Sequence, residues 1–231
     1  MTKVSPAAVP ADVARFDPVE ARVEIAGRSW RVLHPPDAEQ LIDEDAYARD
    51  ERLPYWADLW PSALVLAAEV AAEWPAGRTV LELGCGIGLP AVVAAGCGAR
   101  VLASDWYPEA LVFAEHNAAR AGVTITTLAA DWSAPPPQLV AAGPFDLVIG
   151  ADILYEDRNG EALSGLLPRL VAADGEVIVT DPRRPNVTAL LEPLRAAGWK
   201  HSREDRENPG RIDESGYVIH VHRLRPPRPL E

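Results

Sequence analysis

The chain has 231 residues, 48% of them hydrophobic, which is enough to fill the core of one α/β domain without requiring a second. Lys plus Arg total 22 against 34 Asp plus Glu, a formal charge of −12. Such a surface repels nucleic-acid phosphate, so it argues against a general DNA or RNA binder and mildly favours a basic partner.

Residues 1–20 are rich in Ala, Pro and Val and show no clean period. "ARVEIAGRSWRVL" (Ala21 to Leu33) alternates around Gly27-Arg28, which predicts a β-hairpin. "DAEQLIDEDAYARD" (Asp37 to Asp50) is acidic and reads as a short helix or lid, its charges first of all a solvated face. Residues 1–50 are therefore an N-terminal extension, and the main domain covers 51–231. "YWADLWPSALVLAAEV" (Tyr55 to Val70) places three aromatics ahead of an alanine-rich, helix-like run. The three are either core or a wall for something flat; Trp56 favours core and Trp60 a ligand contact.

From Thr79 a strand–helix rhythm sets in. "TVLEL" is a strand, "GCGIG" a Gly-rich turn and "LPAVVAAGCG" a helix. "RVLASD" is a second strand ending at Asp105. "YPEALVFAEHNAARAG" is a helix with Pro108 in its first turn and Gly122 past its end. "VTITTLAAD" is a third strand ending at Asp131, "APPP" a loop, and "FDLVIGAD" a fourth strand ending at Asp152. "EALSGLLPRLVAADG" is helical, "EVIVTD" a fifth strand, "NVTALLEPLRAAGW" a helix and "YVIHVHRL" a last, alternating strand. This alternation implies a doubly wound, mostly parallel sheet with helices on both faces. Ligands in such sheets sit beyond the carboxyl ends of the strands, and Glu82, Asp105, Asp131, Asp152 and Asp181 all fall there. Some of them will cap helices instead.

No run approaches about 18 apolar residues, and the N-terminus lacks a signal-peptide pattern, which predicts a soluble cytoplasmic protein away from membranes. Cys85 and Cys97 lie in apolar, Gly-rich stretches without a CxxC and read as reduced thiols. His201, His220 and His222 show no ligand spacing with carboxylates, so no metal is implied. His116 and Asn117 read as packing or surface groups.

The glycines at 84, 86 and 88 let backbone approach a ligand closely. Their spacing is GxGxG and not the GxGxxG dinucleotide fingerprint, and Glu82 stands two residues ahead. A pyrophosphate would be repelled there; an adenosyl group ending in an amine and a sulfonium would not. Asp105 can accept both hydroxyls of a ribose. Asp131 and Trp132 can pair with and flank adenine, or Trp132 can cover a core edge. Trp106 follows the ribose acid and has the same two readings.

"LELGCGIG", "SD" at 104–105, "DW" at 131–132 and "ADILY" at 151–155 together resemble the class I S-adenosylmethionine-dependent methyltransferases. More narrowly the chain resembles the methyltransferase-16 group of seven-β-strand protein lysine methyltransferases. That group includes METTL21-like enzymes and the lysine methyltransferase of electron transfer flavoprotein β-subunit. The resemblance spans Leu53 to Leu224. It implies a Rossmann-like seven-stranded sheet with an antiparallel C-terminal strand. It implies S-adenosylmethionine as cofactor, with contacts from Trp60, Gly84, Cys85, Gly86, Asp105, Trp132 and Ala151. It also assigns Asp152 and Tyr155 to the D/E-x-x-F/Y motif that positions the acceptor amine.

A lysine amine has a reference pKa of about 10.4, so it must arrive neutral or lose its proton in the site. Asp152 can accept from the amine, and the Tyr155 ring can wall the approach and favour a partly cationic centre. Alternatively Asp152 caps a helix and Tyr155 is core. A small-molecule N- or O-methyltransferase on the same fold remains open, since fold does not choose an acceptor. So does a non-catalytic cofactor-binding partner protein. An NAD-dependent oxidoreductase is disfavoured by the glycine spacing and Glu82.

Overall fold

The computed structural model describes residues 2–3, 9–42, 53–73, 75–207 and 218–227. Most of the expected acidic segment, and the stretch before the last strand, lie outside them.

Two sheets form. The smaller contains β1 (Thr2–Lys3), β2 (Val19–Ile25) and β3 (Arg28–His34), all antiparallel in that order. The β2–β3 connection is Ala26-Gly27, one residue earlier than the expected Gly27-Arg28, and both residues have left-handed φ (+51° and +74°). That backbone matches the twist of a hairpin. Between β1 and β2 lies α1 (Ala11–Ala14), and two short 3₁₀ turns, Glu39–Leu41 and Tyr55–Ala57, follow β3.

The larger sheet is built by α2 (Pro61–Glu73), β4 (Thr79–Leu83), α3 (Leu89–Gly96), β5 (Arg100–Asp105), α4 (Pro108–Arg120), β6 (Thr126–Ala129), α5 (Pro137–Ala142), β7 (Phe145–Ala151), α6 (Asp157–Leu170), β8 (Val171–Asp181), α7 (Val187–Ala196), β9 (Lys200–Glu207) and β10 (Val218–Arg225). Its order is β6-β5-β4-β7-β8-β10-β9, with β10 antiparallel to both neighbours and the other pairs parallel. This is the expected seven-stranded sheet. The order reverses between β4 and β7, which pair directly and so open a crevice at their carboxyl ends.

The strands are apolar on both faces because both are covered. On one face Leu81, Leu83, Val148 and Val177 meet Leu163, Leu166 and Leu190 of α6 and α7. On the other, Val80, Leu147 and Ile149 meet Val65, Leu66 and Ala91 of α2 and α3. A third cluster ties the hairpin to the main body: Trp30, Val32 and Leu33 pack with Trp56, Ile87 and Phe113. Asn117, fully buried, fastens this junction: it accepts from Leu33 N at 2.7 Å and donates to Leu33 O at 3.0 Å and Ile87 O at 2.9 Å.

Three local features depart from the sequence reading. The helix expected over 161–175 begins at Asp157 and stops at Leu170, and "VAAD" is strand, because Val171 already pairs with Phe145. Sheet pairing overrides the helix preference of the two alanines. The "APPP" loop runs into α5, where Pro137 occupies the first turn. β9, "KHSREDRE", carries no apolar alternation and was not expected as a strand; it is a largely exposed edge paired only to β10.

Candidate active site

A cavity of about 630 Å³ opens at the carboxyl ends of β4, β5 and β7. All twelve residues singled out in the sequence line it: Trp60, Glu82, Gly84, Cys85, Gly86, Asp105, Trp106, Asp131, Trp132, Ala151, Asp152 and Tyr155. Asp181 does not; it turns to the far side of β8.

The Gly-rich turn is held tightly. Gly84, Gly86 and Gly88 all have left-handed φ (+64°, +50° and +82°). A Cβ on Gly88 would meet Ala114 Cβ at 2.6 Å, so only glycine fits. The Cys85 amide donates to Ser104 O at 2.9 Å and the Gly86 amide to Asp105 Oδ2 at 2.9 Å. Those two donors are committed within the protein, and the Cys85 carbonyl accepts from Gly88 N at 2.8 Å, so the turn presents a ligand chiefly with its bare Cα positions.

Glu82 is buried and accepts from Ala91 N at 2.8 Å, capping α3. Burial pushes its carboxyl well above the usual range, and the neighbouring Asp105 adds to this. Asp105 also accepts from Tyr107 N at 2.9 Å, and burial raises its pKa to about 6. Two desolvated carboxylates at one wall favour a ligand that brings hydroxyl donors or positive charge. Around the whole cavity, Asp58, Glu82, Asp105, Asp131, Asp152 and Glu156 face Arg158 and Arg184. This donor set suits an adenosyl sulfonium and disfavours a pyrophosphate.

The aromatics divide. Trp56 is core, edge-on to Phe16 at 5.7 Å and tilted against Phe113 at 5.5 Å. Trp60 is half-buried, just ahead of α2, and its Nε1 donates to Tyr55 O at 2.7 Å. Tyr55, 40% exposed, stands between Trp60 and Tyr155, with centroids at 5.9 Å and 5.4 Å. Trp132 packs over Gly84, where an added Cβ would meet its ring at 3.3 Å. Trp106 also lines the cavity and is 41% exposed. Asp131 falls beyond β6, in the loop, where Oδ1 accepts from Ser133 N and Oγ at 2.8 Å and 2.7 Å.

Asp152 directly follows β7, with a left-handed φ of +53°. A non-glycine residue held there is strained, a feature that clusters at functional sites. Its amide donates to Thr180 O at 2.7 Å, which fixes the turn. Its carboxylate is buried and gripped by Arg184, a residue the sequence reading missed. The Arg184 Nε donates to Oδ1 at 2.8 Å and Nη2 to Oδ2 at 3.1 Å. The hydrogen bond with Asp152 raises the Arg184 guanidinium above its usual value. The backbone N of Arg184 is itself held by Asp181 Oδ1 at 2.5 Å. "DPRRPN" gives no signal that distinguishes Arg184 from Arg183.

The histidines also correct the sequence reading. His220 and His222 converge on Asp181 across two strands, a closeness that linear spacing does not reveal. His201 stacks on His222 at 5.2 Å.

The architecture is shared with solved methyltransferases. Precorrin-6y C5,15-methyltransferase from Geobacter metallireducens superposes with a TM-score of 0.58 at 16% identity, over 71% of this chain and 89% of that one. The fold is thus the class I methyltransferase fold. Residues 55–190 match the family model described as lysine methyltransferase, and the chain belongs to that family. Histone-arginine methyltransferase METTL23 from Xenopus laevis is 31% identical over 112 residues, 46% of this chain and 48% of that protein. The electron transfer flavoprotein beta subunit lysine methyltransferase from the same species is 29% identical over 172 residues, 70% of this chain and 68% of that protein. The chain spans about half the length of the first curated relatives it matches. Among the described residues no helix is long and apolar enough to cross a membrane.

Proposed function

We propose that this chain is an S-adenosylmethionine-dependent methyltransferase that modifies a protein lysine Nε. The observation that carries the reading is the acid-rich, aromatic-rimmed cavity at the β4–β7 switch point, with Asp152 and Tyr155 on its wall. When bound, S-adenosylmethionine supplies a methyl group already activated on a sulfonium. Asp105 takes the ribose hydroxyls, which relieves a buried carboxylate. Trp132 and Trp106 flank the adenine, Asp131 pairs with it, and the carbonyls around Gly84–Gly86, with Glu82 and Ala151, face the amino-acid end.

Tyr55, Trp60 and Tyr155 form the acceptor's channel, and their ring faces suit a cationic or partly cationic nitrogen. Asp152 cannot serve as a free base while Arg184 holds both its oxygens. Each oxygen keeps a second lone pair, so the carboxylate still orients an amine by accepting from it. Positioning of this kind accounts for much of the rate when the methyl donor is already activated. The relatives' names attach arginine to one and lysine to the other, and both acceptors carry nitrogen at the end of a long cationic side chain.

The protein substrate is a basic segment with an accessible lysine; nucleic acid and membrane are not partners. The free thiols of Cys85 and Cys97 fit a cytoplasmic location. Tritiated S-adenosylmethionine, incubated with lysate from a strain lacking this gene, tests the proposal. Label should appear in a protein band and in methyl-lysine after hydrolysis. Label confined to the small-molecule fraction, or to methyl-arginine, would replace the acceptor. No transfer above the Asp152→Ala control would remove the activity.

A further inference from the structure

Behind the candidate active site, on the other side of β8, three potential metal ligands meet. Asp181 ends β8, and His220 is its direct partner across the β8–β10 ladder. His222, two residues on, faces the same side of β10. One ligand atom from each lies within 4.8 Å of the other two. None of the three lines the active-site cavity.

The burial of these groups is the stronger clue. Asp181 is fully buried and His222 is 2% exposed. Asp181 Oδ2 and His222 Nε2 lie 2.9 Å apart, yet neither has a hydrogen-bond partner among the described residues. Two buried polar atoms this close and out of line for a hydrogen bond are both left unanswered, and His220 brings a third ligand atom within 4.8 Å of each. Ligand atoms bound to one ion at about 2.0–2.2 Å end up roughly 3 Å apart. The observed separation is of that size.

We propose that Asp181, His220 and His222 form a binding site for a divalent transition-metal ion of the zinc or nickel type. Two imidazoles and one carboxylate suit such ions, while magnesium prefers an all-oxygen set. Asp205 stands on the solvent side, opposite His220 on β9, with Oδ1 at 3.7 Å from His220 Nε2. It can complete the coordination.

Outside the ligands, His201 supplies the partner that metal-bound histidines require. His201 Nε2 is 3.0 Å from His222 Nδ1, and Arg195 Nη2 is 2.6 Å from His201 Nδ1. With no ion, Arg195 can only donate, so His201 donates to His222, and the His222 proton sits on Nε2 beside Asp181. An ion on Nε2 moves that proton to Nδ1 and reverses the sense of the relay. His201 then holds its proton on Nδ1, and the exposed Arg195 turns to solvent. The ion is also linked to the active site. The other Asp181 oxygen holds the backbone of Arg184, which grips Asp152.

The test uses the full chain, stripped with EDTA and dialysed. Zn²⁺, Ni²⁺ and Mg²⁺ are titrated separately by calorimetry, and Co²⁺ by visible absorption. The expected result is one Zn²⁺ or Ni²⁺ per chain, no Mg²⁺, and a raised melting temperature. His220→Ala, at a partly exposed position, and His222→Gln should each weaken Zn²⁺ binding by about 100-fold or more. A Cys85→Ser/Cys97→Ser double variant should bind normally. Absence of stoichiometric binding to the wild type overturns the site. So does unchanged affinity in His220→Ala, which decides the matter if His222→Gln does not fold.

Discussion

Arg184 holds both carboxylate oxygens of Asp152, at 2.8 Å and 3.1 Å, on the wall of the cavity. The pair joins the turn after β7 to the turn after β8. Under the proposed function, an acceptor amine would thus meet a carboxylate that is already partly neutralised.

Substitutions at this pair separate binding from chemistry. Asp152→Ala should retain near-normal S-adenosylmethionine affinity by calorimetry and lose methyl transfer by about 10²-fold, as for loss of a positioning group. Tyr155→Phe keeps the ring and should lose less than Tyr155→Ala. Arg184→Ala leaves Asp152 buried and unanswered, at a cost of about 1–3 kcal/mol, with the low end favoured by Arg184's partial exposure. In the Asp152→Ala/Arg184→Ala double variant the losses should be less than additive in urea unfolding. Strict additivity would show that the pair is not coupled, and full activity in Asp152→Ala would return the motif to a structural role.

Asp105 makes a pH prediction with a definite sign. Its folded pKa, about 6, lies above the ordinary value of 3.8, because burial penalises the charge. The folded state therefore binds more protons between those values, and stability falls as pH rises through that window. Asp105→Asn should flatten that fall in denaturant titrations. Cofactor affinity should run the other way, rising as Asp105 ionises and both oxygens become acceptors. Asp105→Ala should weaken binding by about 1–3 kcal/mol at neutral pH. Unchanged calorimetric affinity in that variant would displace the ribose from Asp105.

Trp60 is half-buried and tied to Tyr55 O. Trp60→Ala should lower cofactor affinity or kcat and leave the domain folded. Truncating a core tryptophan would instead cost about 3–5 kcal/mol. A steep loss of melting temperature with normal affinity would place Trp60 with Trp56 in the core.

Arg223 links α2 to the far edge of the sheet, at 2.7 Å from Glu69, 2.9 Å from Glu73 and 3.3 Å from Glu176. Glu69 and Glu176 are buried, but Arg206 and Arg225 also serve them. Arg223→Met should thus cost about 1–3 kcal/mol, less than breaking an isolated buried pair. The loss should change little with salt, unlike that at the exposed Arg22–Glu24 pair. A loss that disappears at high salt would mean the network is solvated.

The fold was legible wherever burial imposes a pattern. β4, β5, β7 and β8 are apolar because helices cover both faces, and Glu82, Asp105, Asp152 and Asp181 fall at or beside the carboxyl ends of the strands. β9 was not legible, since an edge strand exposed along most of its length needs no apolar period. The limit of α6 was hidden because helix passes into strand at Leu170-Val171 without a turn. Arg184 and the Asp181–His220–His222 cluster depend on contacts between segments far apart in sequence. Register, which sequence does not display, sets those contacts.

Asn117 has a practical consequence for anyone shortening the chain. A fragment beginning where the family similarity does, at residue 55, would keep every residue that lines the cavity except Leu53. It would also discard Leu33, which engages both the oxygen and the nitrogen of the Asn117 amide. The same amide tethers Ile87, in the middle of the Gly-rich turn. Trp56 and Phe113 would lose the apolar cover of Trp30, Val32 and Leu33. Such a fragment should express poorly, or fold with a slack Gly-rich turn, although Leu53 alone had been lost from the cavity's lining.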